Sequence, residues 1–255
     1  MNKTKITKQL RTSLFLIVCV VYTLGIIFFE TYAVPTGATV TNLSTMEGAA
    51  IAGSRSDEGG TVTILTLNTT QQNFGWKAYV GNISGTLTLD DANGWTIYDW
   101  SLNVSAVTGE VYAARTDSIT WSSVNCSGRN ATEIIATEET ALNFGSTDID
   151  AINKTFSENI HDSFIVAGRS ITVNSCPSIA TYVNDTAQTY NTTSRPLFQE
   201  LLLDDGTNMI YTTIFEQDKT GYDNSSTFDF QLLVADDETS GVQTTYYFFA
   251  ELDAV

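Results

Sequence analysis

One histidine, His161, occurs in the 255 residues of the chain, within the stretch ENIHDSF. A Ser–His or Cys–His catalytic pair, or a zinc site of the usual His-rich kind, would have to be built around it. Asp162 follows it at the expected end of a helical stretch, so the sequence predicts a capping or surface imidazole, not a catalytic one. Cys126 and Cys176 are the only cysteines outside the N-terminal apolar run, which holds Cys19. Neither has the basic neighbour and base partner that a thiolate nucleophile needs. They are two buried thiols or one disulfide. The disulfide is expected, and closing a loop of about 50 residues would contribute about 4 kcal/mol on the chain-entropy model. No G-x-S-x-G, HExxH, P-loop or dinucleotide fingerprint occurs.

Carboxylates are the remaining route to chemistry. Glu138/Glu139 and Asp236/Asp237/Glu238 could imitate the acid–base pair of a glycosidase, but adjacency in sequence does not place two carboxyls across a sugar ring. Helix-surface and turn roles are expected for them instead. Asp90/Asp91, Asp148/Asp150, Asp204/Asp205 and Asp218/Asp223 offer the oxygens that a structural calcium ion takes, yet none fits an EF-hand loop. Trp76, Trp95, Trp100 and Trp121, with Tyr79 and Tyr98, provide either a sugar-binding face or core packing, and alternating strands favour packing. No catalytic residue, metal ligand or cofactor is assigned, and no enzyme activity is expected.

The elements that hold these residues read as strands. Hydrophobic residues make up 42% of the chain, enough for a core, while charged residues are only 16%. Net charge is −17, and Lys3, Lys5, Lys8 and Arg11 all precede the first apolar run, so the remainder is more acidic still. Such a body repels phosphate backbones, which argues against nucleic-acid binding. The basic head and the apolar stretch Leu14–Phe29 read as an address: a signal peptide cleaved after Ala33, an anchor using residues 13–29, or a pilin-type leader cut before the apolar helix. As a helix, Leu14–Phe29 would span about 24 Å. All three readings put the body outside the cytoplasm.

Export agrees with the sequon density. Asn42, Asn68, Asn82, Asn103, Asn125, Asn130, Asn153, Asn184, Asn191 and Asn224 each begin N-x-S/T without proline and are candidate glycosylation sites. Residues 34–60 are small, polar and glycine-rich, an extended arm or linker. Period-2 patterning begins at 61: Val62 and Ile64 are expected to open the first strand, and Trp76, Ala78 and Val80 to share one face of another. DDANG at 90–94 predicts a five-residue hairpin loop placing Leu89 opposite Trp95 and Leu87 opposite Ile97. A matching hairpin would set Leu203 against Met209 and Leu201 against Tyr211. Phe228, Phe230, Leu232 and Val234, then Val242, Tyr246, Phe248, Ala250 and Leu252, give the C-terminal strands. Spacings of three to four at 131–160 predict one or two short helices between strands. The expected fold is all-β, an immunoglobulin-like sandwich of about ten to twelve strands over residues 61–255 with a small helical insertion near 131–160.

The phrase WKAYVGNISGTLTLDDANGWTIYDW at 76–100, with GEVYAAR, SITW and YYFFAEL further on, resembles a group of exported archaeal cell-surface β proteins. The resemblance covers most of residues 61–252 and implies a pilus- or surface-subunit-like protein without known catalysis. The expected function is an extracellular structural subunit that self-associates into a homopolymer. In it the arm residues Ala38, Val40, Leu43 and Met46 would add as a strand to a neighbour's sheet edge. The alternative is an adhesin or glycan-binding module.

Overall fold

In the computed structural model, residues 34–48, 54, 56–66, 70–101, 108–128, 133–145 and 147–253 are described. Residues 1–33, with Cys19 and every reading of the N-terminal address, lie outside them, as do Asn68, Asn103 and Asn130. No helix among the described residues is long and apolar enough to cross a membrane.

The strands run β1 Thr36–Gly37, β2 Trp76–Gly81, β3 Thr86–Asp90, β4 Thr96–Ser101, β5 Thr108–Ala114, β6 Asn125–Cys126, β7 Phe164–Val166, β8 Arg169–Ile171 and β9 Ser178–Ala180. They continue as β10 Gln199–Asp204, β11 Met209–Ile214, β12 Lys219–Thr220, β13 Thr227–Phe228, β14 Phe230–Ala235 and β15 Tyr247–Asp253. Two short helices, α1 Ile134–Ala141 and α2 Ile152–Thr155, lie within the stretch 131–160. The fold is antiparallel and all-β in character. Its main sheet has the order β1-β15-β5-β11-β10-β6, with β9 also pairing on β10.

Both faces of that sheet are covered. On one, Val111, Ala113, Leu202 and Tyr211 meet Leu232 and Val234 of β14, Ile135 of α1, and Ile152 and Phe156 at α2. On the other, Tyr112, Ala114, Leu201, Leu203 and Ile210 meet Val124, Phe164, Val166 and Ile171. Five successive residues of β10 and of β11 are therefore buried, and the sequence signal there is a continuous apolar run, not an alternation.

Turn chemistry sets the two hairpin registers, and both differ from expectation. In β3–β4, Asp91 N–H donates to the Trp95 carbonyl and Gly94 takes φ +81°, so the loop is Ala92–Asn93–Gly94, three residues instead of five. A bulge follows, and Leu87 faces Trp100 while Leu89 faces Tyr98. In β10–β11 the turn tightens onto Gly206 at φ +90°, and Leu203 faces Ile210 while Leu201 faces Thr212. A one-residue slip moves every side chain to the opposite face, so this register decides which of the two cores each residue enters.

Other expectations shift for similar reasons. Val62 and Ile64 are in no strand and are 97% and 95% exposed. The expected face Trp76/Ala78/Val80 is not the inward one of β2: Ala78 is exposed, and Tyr79 packs edge-on to Phe248 at 4.8 Å. Trp76, at the strand end, reaches Phe144 and Phe156 and donates Nε1–H to the Asp150 carbonyl at 2.8 Å. Val242 is exposed and lies before β15, in the turn that follows β14.

Candidate functional site

His161 is fully buried, not at a helix end and not on the surface. Its Nε2 accepts hydrogen bonds from the backbone N–H groups of Ser175 and Cys176, each at 2.9 Å. Nε2 is thus the acceptor, and Nδ1 donates to the Asp162 carbonyl at 2.6 Å, which fixes the neutral tautomer with the proton on Nδ1. Burial holds the imidazole below its ordinary pKa; the Arg195 charge acts in the same direction, against the pull of the Asp162 carbonyl and carboxylate. With both nitrogens committed to backbone groups, the ring has no free lone pair for general-base work or for a metal.

What the imidazole does hold is the turn that presents Cys176. Cys176 is bonded to Cys126 on β6, with Cα atoms 4.9 Å apart. β6 and β9 both dock on the outer edge of β10, at Leu203–Asp204 and Gln199–Leu201 respectively. The disulfide therefore ties the two ends of the helical excursion to one strand. Around it, Asp162 N–H donates to Gln199 Oε1 at 2.7 Å, Gln199 returns a bond to Asp162 Oδ2, and Arg195 pairs with Asp162 at 3.3 Å.

The acidic pairs are occupied one by one. Glu138 and Glu139 are buried, contrary to the expected helix surface. Glu138 accepts both arms of the Arg115 guanidinium, at 2.7 and 2.6 Å, and Glu139 accepts the Asn153 N–H at the start of α2. Asp236 pairs with Lys77 at 3.0 Å and accepts the N–H groups of Asp237 and Thr244. Asp91 accepts the N–H groups of Asn93 and Trp95; Asp205 accepts those of Thr120, Thr207 and Asn208; Asp223 accepts those of Ser225 and Ser226. Their oxygens serve loop backbone, and no group of three or more acidic, His or Cys side chains suited to a metal exists among the described residues.

Three glutamates that the sequence reading passed over lie buried in the main sheet: Glu110, Glu200 and Glu251. Glu110 on β5 stands directly opposite Glu251 on β15, with the Tyr112 hydroxyl 3.4 Å from one and 3.2 Å from the other. Glu251 also accepts the Ala167 N–H. The signal was available, since each glutamate interrupts an apolar strand: GEVYAA, QELLL and FFAEL. A facing carboxylate pair with a bridging phenol has the groups for acid–base chemistry, but at 1% and 3% exposure neither carboxyl can meet a substrate in this conformation.

Open surface is found elsewhere. Trp76, Tyr79 and Trp121 pack against the two cores, whereas Trp95, Tyr98 and Trp100 lie exposed on the β3–β4 hairpin. Leu87, Leu89, Tyr98 and Trp100 share one face of that two-stranded ribbon. In the arm, β1 pairs Thr36 with Ala250 and Gly37 with Phe249, and Ala38 N–H donates to the Phe248 carbonyl. Beyond it Val40, Leu43 and Met46 are exposed. Among the described sequons, Asn42, Asn82, Asn125, Asn184, Asn191 and Asn224 are exposed, while Asn153 is half-buried at the start of α2 with its Oδ1 shut from solvent. Comparison of the chain with protein-family models, with curated proteins and with solved structures gives no match.

Proposed function

We propose that this chain is an exported, glycosylated structural protein, a subunit of a cell-surface filament or surface layer of the pilus-like kind. The observation that carries the reading is the arm. Its first residues already add to the edge of β15, and its next apolar residues, Val40, Leu43 and Met46, find no core in their own chain. A segment that is apolar, extended and uncovered is the material of strand addition to a neighbour. The covalent tie at Cys126–Cys176 and the exposed sequons suit an oxidising exterior. The building block is the two-core β body, read as an immunoglobulin-like sandwich in which the β2–β14 pair stacks on the main sheet. Deleting residues 34–47 is expected to leave a folded monomer and abolish assembly, checked by electron microscopy of surface material. Normal filaments from that variant would refute the mechanism.

A second reading, an adhesin or glycan receptor, is favoured by one observation: Trp95, Tyr98 and Trp100 project beside the carboxylates of Asp90 and Asp99. Aromatic faces stack on sugars and carboxylates accept their hydroxyls. Glycan-array binding that disappears on Trp95→Ala without loss of stability would support it.

A further inference from the structure

The stretch Thr61–Thr66, TVTILT, has the β-branched alternation of a strand, yet it belongs to no sheet. Val62 and Ile64 are almost wholly exposed and Leu65 is more than half exposed. The β3–β4 ribbon lacks what this segment offers. It is two-stranded, so the outer edge of β3 keeps unpaired N–H and C=O groups, and its apolar face is uncovered. A two-stranded ribbon alone is marginal in water, and a third strand is the usual remedy.

We propose that Thr61–Thr66 of one copy docks along β3 of a second copy, extending the hairpin to three strands. The inference rests on the assembly reading above and names its contact. The patterns match residue by residue: Val62 and Ile64 fall beside Leu87 and Leu89 on the apolar face, while Thr61 and Thr63 fall beside Thr86 and Thr88 on the other. Pairing is to β3, not β4, because the bulge at Ile97 breaks the β4 edge, whereas β3 runs regularly up to Leu89.

Charge selects a second copy as the occupant. The chain carries −17, so two copies repel wherever charged surface meets, and contact is confined to neutral strips. Thr61–Thr66 holds no charge, nor does the face formed by Leu87, Leu89, Tyr98 and Trp100. An anionic lipid surface is the poorer partner, since Asp90, Asp91 and Asp99 crowd the same hairpin. Size is adequate too. Trp95, Tyr98 and Trp100 leave about 350 Å² of aromatic surface open, a large share of the roughly 800 Å² that each partner contributes to a standard interface.

The test is cross-linking in the full chain, purified from an exporting cell. Thr63→Cys and Thr88→Cys variants are mixed and oxidised, with Thr63→Cys plus Ser240→Cys as control. The expected result is an inter-chain dimer in the first mixture at several times the control yield. A yield no higher than the control overturns the docking. Separately, the pair Val62→Asp with Ile64→Asp is expected to weaken self-association by at least about tenfold while keeping the unfolding transition. Wild-type association that survives both aspartates overturns the docking alone and leaves the assembly reading standing. A wild-type chain that stays monomeric at all concentrations overturns both. Glycan binding by the hairpin in the assembled state, lost on Trp95→Ala, would show that the ribbon face is kept free for sugar and would likewise overturn the docking.

Discussion

Replacing His161 with phenylalanine keeps a ring in the site and removes its polar work. The ring accepts two buried backbone N–H groups, those of Ser175 and Cys176, and phenylalanine accepts neither. Each orphaned buried donor costs about 1–3 kcal/mol, so a loss of about 2–5 kcal/mol is expected at pH 7.5. For a body of this size that corresponds to a fall in Tm of roughly 5–15 °C. Acid provides the sharper test. The folded-state pKa of His161 lies below its unfolded value, so its contribution is complete above about 6.5 and is lost as pH falls through the folded value. Wild type should weaken between pH 7.5 and pH 5 through this group, and the variant should not. Glu216 also titrates in this window, its carboxyl pushed up to about 6 chiefly by burial. Its sign is opposite, because a raised carboxyl pKa favours the folded state as pH falls, and it is present in both proteins. The difference between wild type and His161→Phe in urea unfolding therefore isolates the only histidine, and it should narrow at pH 5. A gap below about 1 kcal/mol that is the same at both pH values would refute the tautomer assignment and the role of the ring as a backbone clamp.

Replacing Cys126 and Cys176 together with serine opens a loop of 50 residues and should cost about 4 kcal/mol, read from the urea midpoint under non-reducing conditions. Arg115→Met strands the buried Glu138 carboxylate and should cost about 3 kcal/mol. Adding Glu138→Leu should restore most of it, and a double variant as weak as the single one would argue against a desolvation origin. Burial pushes the Glu200 carboxyl well above its ordinary pKa, against the opposing Leu233 N–H bond. Glu200→Gln keeps that bond, so it should equal or exceed wild type at pH 7, with an advantage that grows as pH rises from about 4.5. Trp95→Ala, at 75% exposure, should change stability by less than about 0.5 kcal/mol, and a larger loss in thermal melts would mean that the hairpin packs on the body.

Several features were legible before any coordinates. Cys126 and Cys176 stood out because the third cysteine sits in an apolar run, and the helices fell where spacing changed from two to three or four. Phe228, Phe230, Leu232 and Val234 alternate as written, with Leu232 and Val234 buried. The hairpins were recognised, but their registers were not. Loop length depends on which glycine turns left-handed, and only Gly94 and Gly206 in place reveal it. The buried glutamates and His161 were misjudged for a common reason. A polar side chain is buried only when specific partners meet it, and these come from distant segments: Ala167 for Glu251, Leu233 for Glu200, Cys176 for His161.

The sequence by itself determined which stretches prefer a pleated backbone, which cysteines pair and how acidic the surface is, since these follow from residue type and near-neighbour spacing. Tertiary structure alone decided which apolar faces are covered. LLL at 201–203 and the alternating Leu87, Leu89, Tyr98 and Trp100 are equally apolar on paper. The first is enclosed on both sides, and the second is left open to water. Burial belongs to the pairing of distant segments, and a strand carries no local mark of whether another layer of its own chain will reach it.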